Sequence, residues 1–263
     1  MAPKLLVVGG GKMGTALVTG LIASGWAPVE ALAVSDPERG RRRDLAEAHP
    51  GLSVVDGPVE AEGALLAVKP DVGEAVLRTL SAVGINRVLS VVAGLSTARL
   101  EAVMRPGAVV VRAMPNTPAL IGAGVAAMSG GSAATSADLD WAEGILASVG
   151  TVIRLPERQL DAVTAVSGSG PAYVFLVAEA MIEGGVMAGL PRPVSEELVV
   201  ATILGSARLM AETGDDPAEL RSAVTSPGGT TAAALRTLEF KAVRSAFIEA
   251  VAAATERSRQ LGR

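Results

Sequence analysis

Along the first 155 positions, apolar residues fall in short runs rich in β-branched side chains, separated by stretches where they recur every three or four residues. The runs cover Leu5–Val8 and residues 32–34, 64–68, 88–92, 109–111, 125–128 and 151–155. Between the first two, Met13, Ala16, Leu17, Gly20 and Leu21 mark one face of a helix, with Gly25 as its stop. Strand, glycine turn, helix and strand in that order predict a doubly wound α/β domain of Rossmann type over residues 1–155. From Pro156 the β signal vanishes and Ala-rich helical stretches punctuated by Gly and Pro take over, which predicts an all-helical second domain over residues 156–263. Within it, residues 173–188 are apolar on nearly every helix face, a pattern that demands burial on all sides. A unit of about 100 residues can hardly enclose such a helix alone, so a partner subunit is expected to help. Charges or glycines interrupt every apolar run well short of about 20 residues, and no membrane-spanning segment is expected.

Composition narrows the chemistry. The 263 residues include no cysteine and one histidine, His49, which removes disulfides, thiol nucleophiles, thiolate metal sites and histidine clusters; no metal is expected. His49 lies away from every candidate loop and reads as a surface or packing residue. Aromatic residues make up 2% against 49% hydrophobic overall, so Ala, Val and Leu must fill the core. A net charge of -4 gives no general basic surface for nucleic acid, although the run at residues 39–43 needs its own account. Lys4 leads straight into the first strand without the apolar stretch and cleavage site of a signal peptide, which predicts a cytoplasmic protein.

Gly9, Gly11 and Gly14 form G-x-G-x-x-G directly after a strand and at the start of a helix. In that setting Gly9 permits a tight turn, Gly11 lets backbone approach a pyrophosphate and Gly14 lets helix and strand pack closely. The helix N-terminus then offers free N–H groups and a partial positive charge to the phosphates. At the end of the second strand stands Ser35-Asp36-Pro37-Glu38-Arg39. An acid here accepts from the ribose hydroxyl of NAD, whereas a hydroxyl and arginines suit the 2′-phosphate of NADP. Both signals are present: Ser35 and Arg39 favour the phosphate, Asp36 opposes it, and the arginine run also reads as a solvated helix face.

Ligands of open parallel sheets lie beyond the carboxyl ends of the strands. That selects Ala67-Val68-Lys69-Pro70, Ala93-Gly94 and Met114-Pro115-Asn116-Thr117-Pro118, where the prolines predict stiff ledges or, more plainly, ordinary turns. In the helical half, Ser167-Gly168-Ser169-Gly170-Pro171 and Ser226-Pro227-Gly228-Gly229-Thr230-Thr231 combine hydroxyls with glycines just before a helix. Such geometry presents bare N–H groups to an anion, with simple helix capping as the alternative.

Taken together, the glycine turn with Met13, the segments starting at Ala67, Arg112 and Ser167, and the segment Ser226 to Thr231 resemble pyrroline-5-carboxylate reductase over nearly the whole length. The resemblance implies a Rossmann domain followed by a helical domain that interlocks with a second subunit as a homodimer, and beyond it a ring of dimers (a decamer). It implies reduction of 1-pyrroline-5-carboxylate to L-proline with NADPH or NADH. It also implies that Gly9, Gly10, Gly11, Lys12, Met13, Gly14, Ser35, Ala67, Val68, Lys69, Pro70, Ala93 and Gly94 contact the dinucleotide, that Glu157 matches a cofactor contact of some members, and that Val224, Ser226, Thr230 and Thr231 surround the substrate. One departure is Ala223, where some members carry an asparagine.

The residue inventory fits that reaction. A protonated imine already carries the charge that hydride attack removes, so its reduction needs orientation more than a proton donor such as histidine. Thr231 is then the candidate to hydrogen-bond the ring nitrogen, and the backbone of Ser226, Gly228, Gly229 and Thr230 to hold the carboxylate. Two other readings compete. A β-hydroxyacid dehydrogenase would place a lysine on a helix near the domain junction, but no lysine occurs between Lys69 and Lys241. A non-catalytic dinucleotide sensor would bind cofactor without turnover.

Overall fold

A computed structural model of the chain describes residues 2–262. Eight strands form one sheet in the order β3-β2-β1-β4-β5-β6-β7-β8. They are β1 (Leu5–Val8), β2 (Leu32–Ser35), β3 (Ser53–Val55), β4 (Ala64–Leu66), β5 (Arg87–Ser90), β6 (Val109–Pro115), β7 (Gly124–Gly130) and β8 (Gly150–Arg154). All neighbours run parallel except β6 and β7. That pair is joined only by a short 3-10 turn, Thr117–Ile121, too brief for the crossover a parallel pair requires. All seven runs read from the sequence become strands. The eighth, β3, is three half-exposed residues at the sheet edge, with too few apolar positions to announce itself.

Helices α1 (Lys12–Ala23), α2 (Arg39–Ala48), α3 (Pro70–Ala82), α4 (Thr97–Ala102) and α5 (Ser136–Leu146) flank the sheet. Alternation along β1 splits the core in two. Leu5 and Val7 pack with Leu17 and Leu21 of α1 and Ile145 of α5, while Leu6 and Val8 pack on the other face with Leu77 and Leu80 of α3 and Leu100 of α4. Each fully buried leucine contributes about 1.5–3 kcal/mol, and the double layer makes β1, buried on both faces, the spine of the sheet.

The helical half comprises α6 (Leu160–Val163), α7 (Gly170–Met187), α8 (Arg192–Thr213), α9 (Pro217–Ala223), α10 (Thr230–Phe240) and α11 (Val243–Leu261). A π-helical turn, Thr164–Gly168, runs from α6 towards α7. The chain divides into two compact units: Met1–Ser169 together with Ala253–Arg263, and Gly170–Ala252. The boundary expected at residue 156 therefore lies inside the first unit, because composition changes there while the chain remains hydrogen-bonded to the sheet through Glu157.

Within the second unit α7 and α8 pack closely, with Ser195 Oγ donating to the Ile182 carbonyl at 2.9 Å, opposite Gly185. Among its described residues only Ser195 and Val199 are buried, whereas Phe175 and Leu176 are each 64% exposed. Contrary to the expectation of no such segment, Glu157–Met187 is long and apolar enough, by length and composition, to cross a membrane. Helical continuity through the π turn joins apolar stretches that look separate in the sequence.

Candidate functional site

The strand order reverses between β1 and β4, so the turns that follow these two strands flank the crevice where open α/β sheets take their ligands. After β1, Gly9 N–H donates to the Ser35 carbonyl at 2.8 Å, and Ala67 N–H donates to the Val8 carbonyl at 2.8 Å. Gly9 has φ of +104°, and a Cβ there would lie 2.5 Å from the Ala67 carbonyl oxygen. At Gly14 a Cβ would overlap the Gly9 carbonyl oxygen, so α1 can sit this close to its own turn only with glycine. Gly11 differs: nothing stands within 4 Å of where its Cβ would be. That open space lies at the N-cap of α1, which no side chain caps, and the N–H groups of Lys12, Met13 and Gly14 precede the first helical bond, from Thr15 to Gly11. An uncapped helix N-terminus facing space that only glycine leaves open fits a pyrophosphate.

Asp36 is 2% exposed. One of its oxygens accepts from Gly10 N–H and the other from Glu38 N–H, both at 2.8 Å. The carboxylate thus braces the glycine turn from below. The arginine run sorts itself by partner. Arg41 pairs with Glu38 at 2.9 Å, Arg42 donates to the Asp36 and Pro37 carbonyls, and Arg43 pairs with Asp44. Arg39, exposed at the first position of α2, makes no hydrogen bond or ion pair among the described residues, while Ser35 is buried at the end of β2. Lys69 caps α3 in an extended conformation, with Pro70 as the first helical residue. The candidates on β1, β2, β4 and β5 therefore come together at the carboxyl ends of adjacent strands.

Ala93 and Gly94 form the turn after β5, with Gly94 at φ +77°. The turn leads into Thr97, whose N–H and hydroxyl donate to the two oxygens of Glu157 at 2.7 and 2.6 Å. Arg112, nearly buried on β6, donates to the same carboxylate at 3.0 Å. Burial pushes the Glu157 carboxyl up, but the hydrogen bonds from Thr97 and Arg112 and the guanidinium charge outweigh it and hold the group below its ordinary range, ionised. Glu157, expected from the resemblance to meet cofactor, has both oxygens engaged within the fold. The sequence reading missed this network. Its signal is Arg112, a charge ending the apolar run Val109-Val110-Val111, which a buried strand tolerates only with a partner.

Asn116 also has a structural task. It donates to the Ser167 carbonyl at 3.2 Å and accepts from Val125 N–H at 2.9 Å, tying the Pro115–Pro118 ledge to β7 and to the π turn. His49 ends α2 with its Nε2 3.0 Å from Thr19 Oγ1, the packing role its isolation suggested.

In the second unit, Gly229 is the N-cap of α10, which has no side-chain cap, and Gly228 takes φ +71°. The N–H groups of Thr230, Thr231 and Ala232 precede the bond from Ala233 to the Gly229 carbonyl. A Cβ on Gly229 would overlap Ser226 Oγ. Val224 and Ser226 are exposed beside this end, and Thr231 is half-buried on the first turn. The arrangement is an uncapped helix N-terminus edged with hydroxyls, suited to a small carboxylate.

Residues 157–261 match the family model described as pyrroline-5-carboxylate reductase dimerisation, and residues 4–94 match one described as NADP oxidoreductase coenzyme F420-dependent. A pyrroline-5-carboxylate reductase of Synechocystis sp. is 44% identical over 269 residues, covering 100% of both chains. Among solved structures, a pyrroline-5-carboxylate reductase from Coxiella burnetii superposes with a TM-score of 0.92 at 34% identity, covering 100% of both chains. A Plasmodium falciparum pyrroline carboxylate reductase with NADP bound gives 0.88 at 31% identity, covering 99% of this chain and 98% of that one.

Proposed function

This chain belongs to the pyrroline-5-carboxylate reductase family, NAD(P)H-dependent oxidoreductases of proline synthesis, and from that premise we infer which of its residues carry the reduction of 1-pyrroline-5-carboxylate to L-proline. The observation that carries the assignment is the open, uncapped α1 N-terminus at Gly11, wedged between turns that only glycine can form. Gly9, Gly10, Gly11, Lys12, Met13 and Gly14 hold the pyrophosphate, and Ala67, Val68, Lys69, Pro70, Ala93 and Gly94 line the nicotinamide half. The dinucleotide supplies the hydride. The backbone N–H groups of Thr230 and Thr231 hold the substrate carboxylate. Gly228 and Gly229 shape the turn that exposes them, because the Gly229 N–H expected to join them donates instead to the Ser226 carbonyl at 3.0 Å. Val224 and Ser226 edge the site, and the Thr231 hydroxyl orients the ring nitrogen. Oxidation of NADPH on addition of pyrroline-5-carboxylate tests the reading; dinucleotide binding without turnover would make the chain a sensor instead.

Asp36 is spent on the turn and Arg39 has no partner among the described residues, which favours NADPH, with NADH also accepted. Replacing Arg39 by Ala is expected to lower kcat/KM with NADPH about ten-fold, the scale of one charge-assisted hydrogen bond, and to leave NADH unchanged. Equal effects on both cofactors, or none, would remove Arg39 from the phosphate site.

Homodimerisation through the second unit is supported by its lack of a core of its own and by exposed Phe175, Leu176, Leu198 and Leu204. A second copy, rather than lipid, covers these faces, in line with the dimerisation model over residues 157–261. The same reading puts the enzyme in the cytoplasm. Leu176→Glu is expected to lower solubility and activity together. A fully active, well-behaved monomer by sedimentation would count against dimerisation.

A further inference from the structure

The Gly94 turn is held from a direction that the Rossmann pattern does not supply. Gly94 and Gly262 meet backbone to backbone: a Cβ on Gly94 would lie 3.1 Å from the Leu261 carbonyl oxygen, and one on Gly262 would lie 3.1 Å from the Gly94 carbonyl oxygen. The end of α11 is itself anchored. Ser258, buried on its last full turn, donates from Oγ to Asp161 Oδ1 at 2.7 Å, and Asp161 belongs to α6. Four residues before Asp161 stands Glu157, whose carboxylate holds Thr97 at the far side of the same turn. The contacts close a circuit: Gly94 to Thr97 along the chain, Thr97 to Glu157, Glu157 to Asp161 along the chain, Asp161 to Ser258, and Leu261-Gly262 back to Gly94. All of these residues lie in the first compact unit.

Resting on the reading that Ala93 and Gly94 line the dinucleotide site, we propose that the last turn of α11, Ser258 to Gly262, is a positioning element for that site. An unsupported turn with exposed Ala93 would sample several conformations, and each productive binding event would cost the entropy of choosing one. Backbone contact at Gly94 on one side and the Glu157 clamp at Thr97 on the other fix it beforehand. Ser258 and Gly262 touch neither dinucleotide nor substrate in this scheme; they act through Gly94.

Gly262→Val forces the two backbones apart, Gly262→Ala does so less, and Ser258→Ala frees the far end of the segment. Measured by fluorescence titration and steady-state kinetics, Gly262→Val is expected to raise the Kd and KM for NADPH about ten-fold. Gly262→Ala and Ser258→Ala should each raise them by about three-fold or more. The KM for pyrroline-5-carboxylate at saturating NADPH should stay near the parent value. A merely structural lesion would instead reduce the active fraction, lowering kcat with both KM values unchanged. NADPH affinity within two-fold of the parent in Gly262→Val and in Ser258→Ala overturns the proposal. Should Gly262→Val fail to fold, Ser258→Ala decides by the same limits. If the parent chain itself did not oxidise NADPH with this substrate, the functional reading would have failed; normal parental turnover with unaltered variants removes only the role of α11.

Discussion

Alanine at Gly11 is expected to leave the free protein as stable as the parent and to lower NADPH affinity at least about 100-fold, a loss of about 2.7 kcal/mol. Alanine at Gly14 should weaken binding as strongly, but through a different cause. Nothing stands near the Gly11 Cβ position in the free chain, so a methyl group there displaces only the ligand it would meet. At Gly14 the methyl group meets the Gly9 carbonyl oxygen of its own turn, and α1 must move off β1 to make room. The melting temperature separates the two: unchanged for Gly11→Ala, clearly lowered for Gly14→Ala. Near-parental affinity in either variant would show that this turn does not hold the pyrophosphate, and equal melting temperatures would show that Gly14 is not needed for α1 to pack on its turn.

The other large effect is expected at the uncapped end of α10. Thr231→Ala should lower kcat/KM for pyrroline-5-carboxylate by about ten-fold or more, about 1.4 kcal/mol, on the proposal that its hydroxyl orients the imine nitrogen. Thr231→Ser keeps the hydroxyl and should retain much of the activity. Gly229→Val adds bulk against Ser226 Oγ at the N-cap and should raise the substrate KM by obstructing the backbone N–H groups. NADPH affinity is the control for all three, since the glycine turn lies elsewhere in the chain and should bind as in the parent. Normal turnover by Thr231→Ala, or loss of dinucleotide binding in its place, would mean that this segment does not cradle the substrate.

Much of the first unit was legible because its central strands are buried on both faces. Residues Leu5–Val8, and Val88 and Leu89 of β5, are buried and apolar, and the glycine spacing between β1 and α1 reports a backbone constraint that survives as a motif. What the sequence hid were pairings between distant positions. Nothing local to Asp36 says that its carboxylate faces Gly10 rather than a ribose, and nothing in the run of arginines says which one finds no partner among the described residues. The Thr97, Arg112 and Glu157 network joins residues up to 60 positions apart, so its members look like isolated polar residues until the strands are placed. Residues 173–188, expected to need cover on all sides, hold no buried position within the chain, and the membrane-length helical stretch containing most of them was not foreseen. The domain boundary was blurred for a related reason. Composition marks where strands cease, but compactness follows contacts, and residues 253–263 return to the first unit with no proline or β-branched run to mark the change.

That return makes the second unit an insertion, with consequences for the order in which the protein can be completed during synthesis. Chains emerging from the ribosome fold from the N-terminus, at about 5–20 residues per second. A nascent chain ending at residue 252 would carry all eight strands and the whole glycine turn, yet would lack the segment that meets Gly94 and Asp161. The contact between Ser258 and Asp161 spans 97 positions, and forming it closes a loop that contains the entire helical unit. Long-range closures of this kind form late and slowly. The nucleotide-binding unit, although first in the sequence, is therefore finished last.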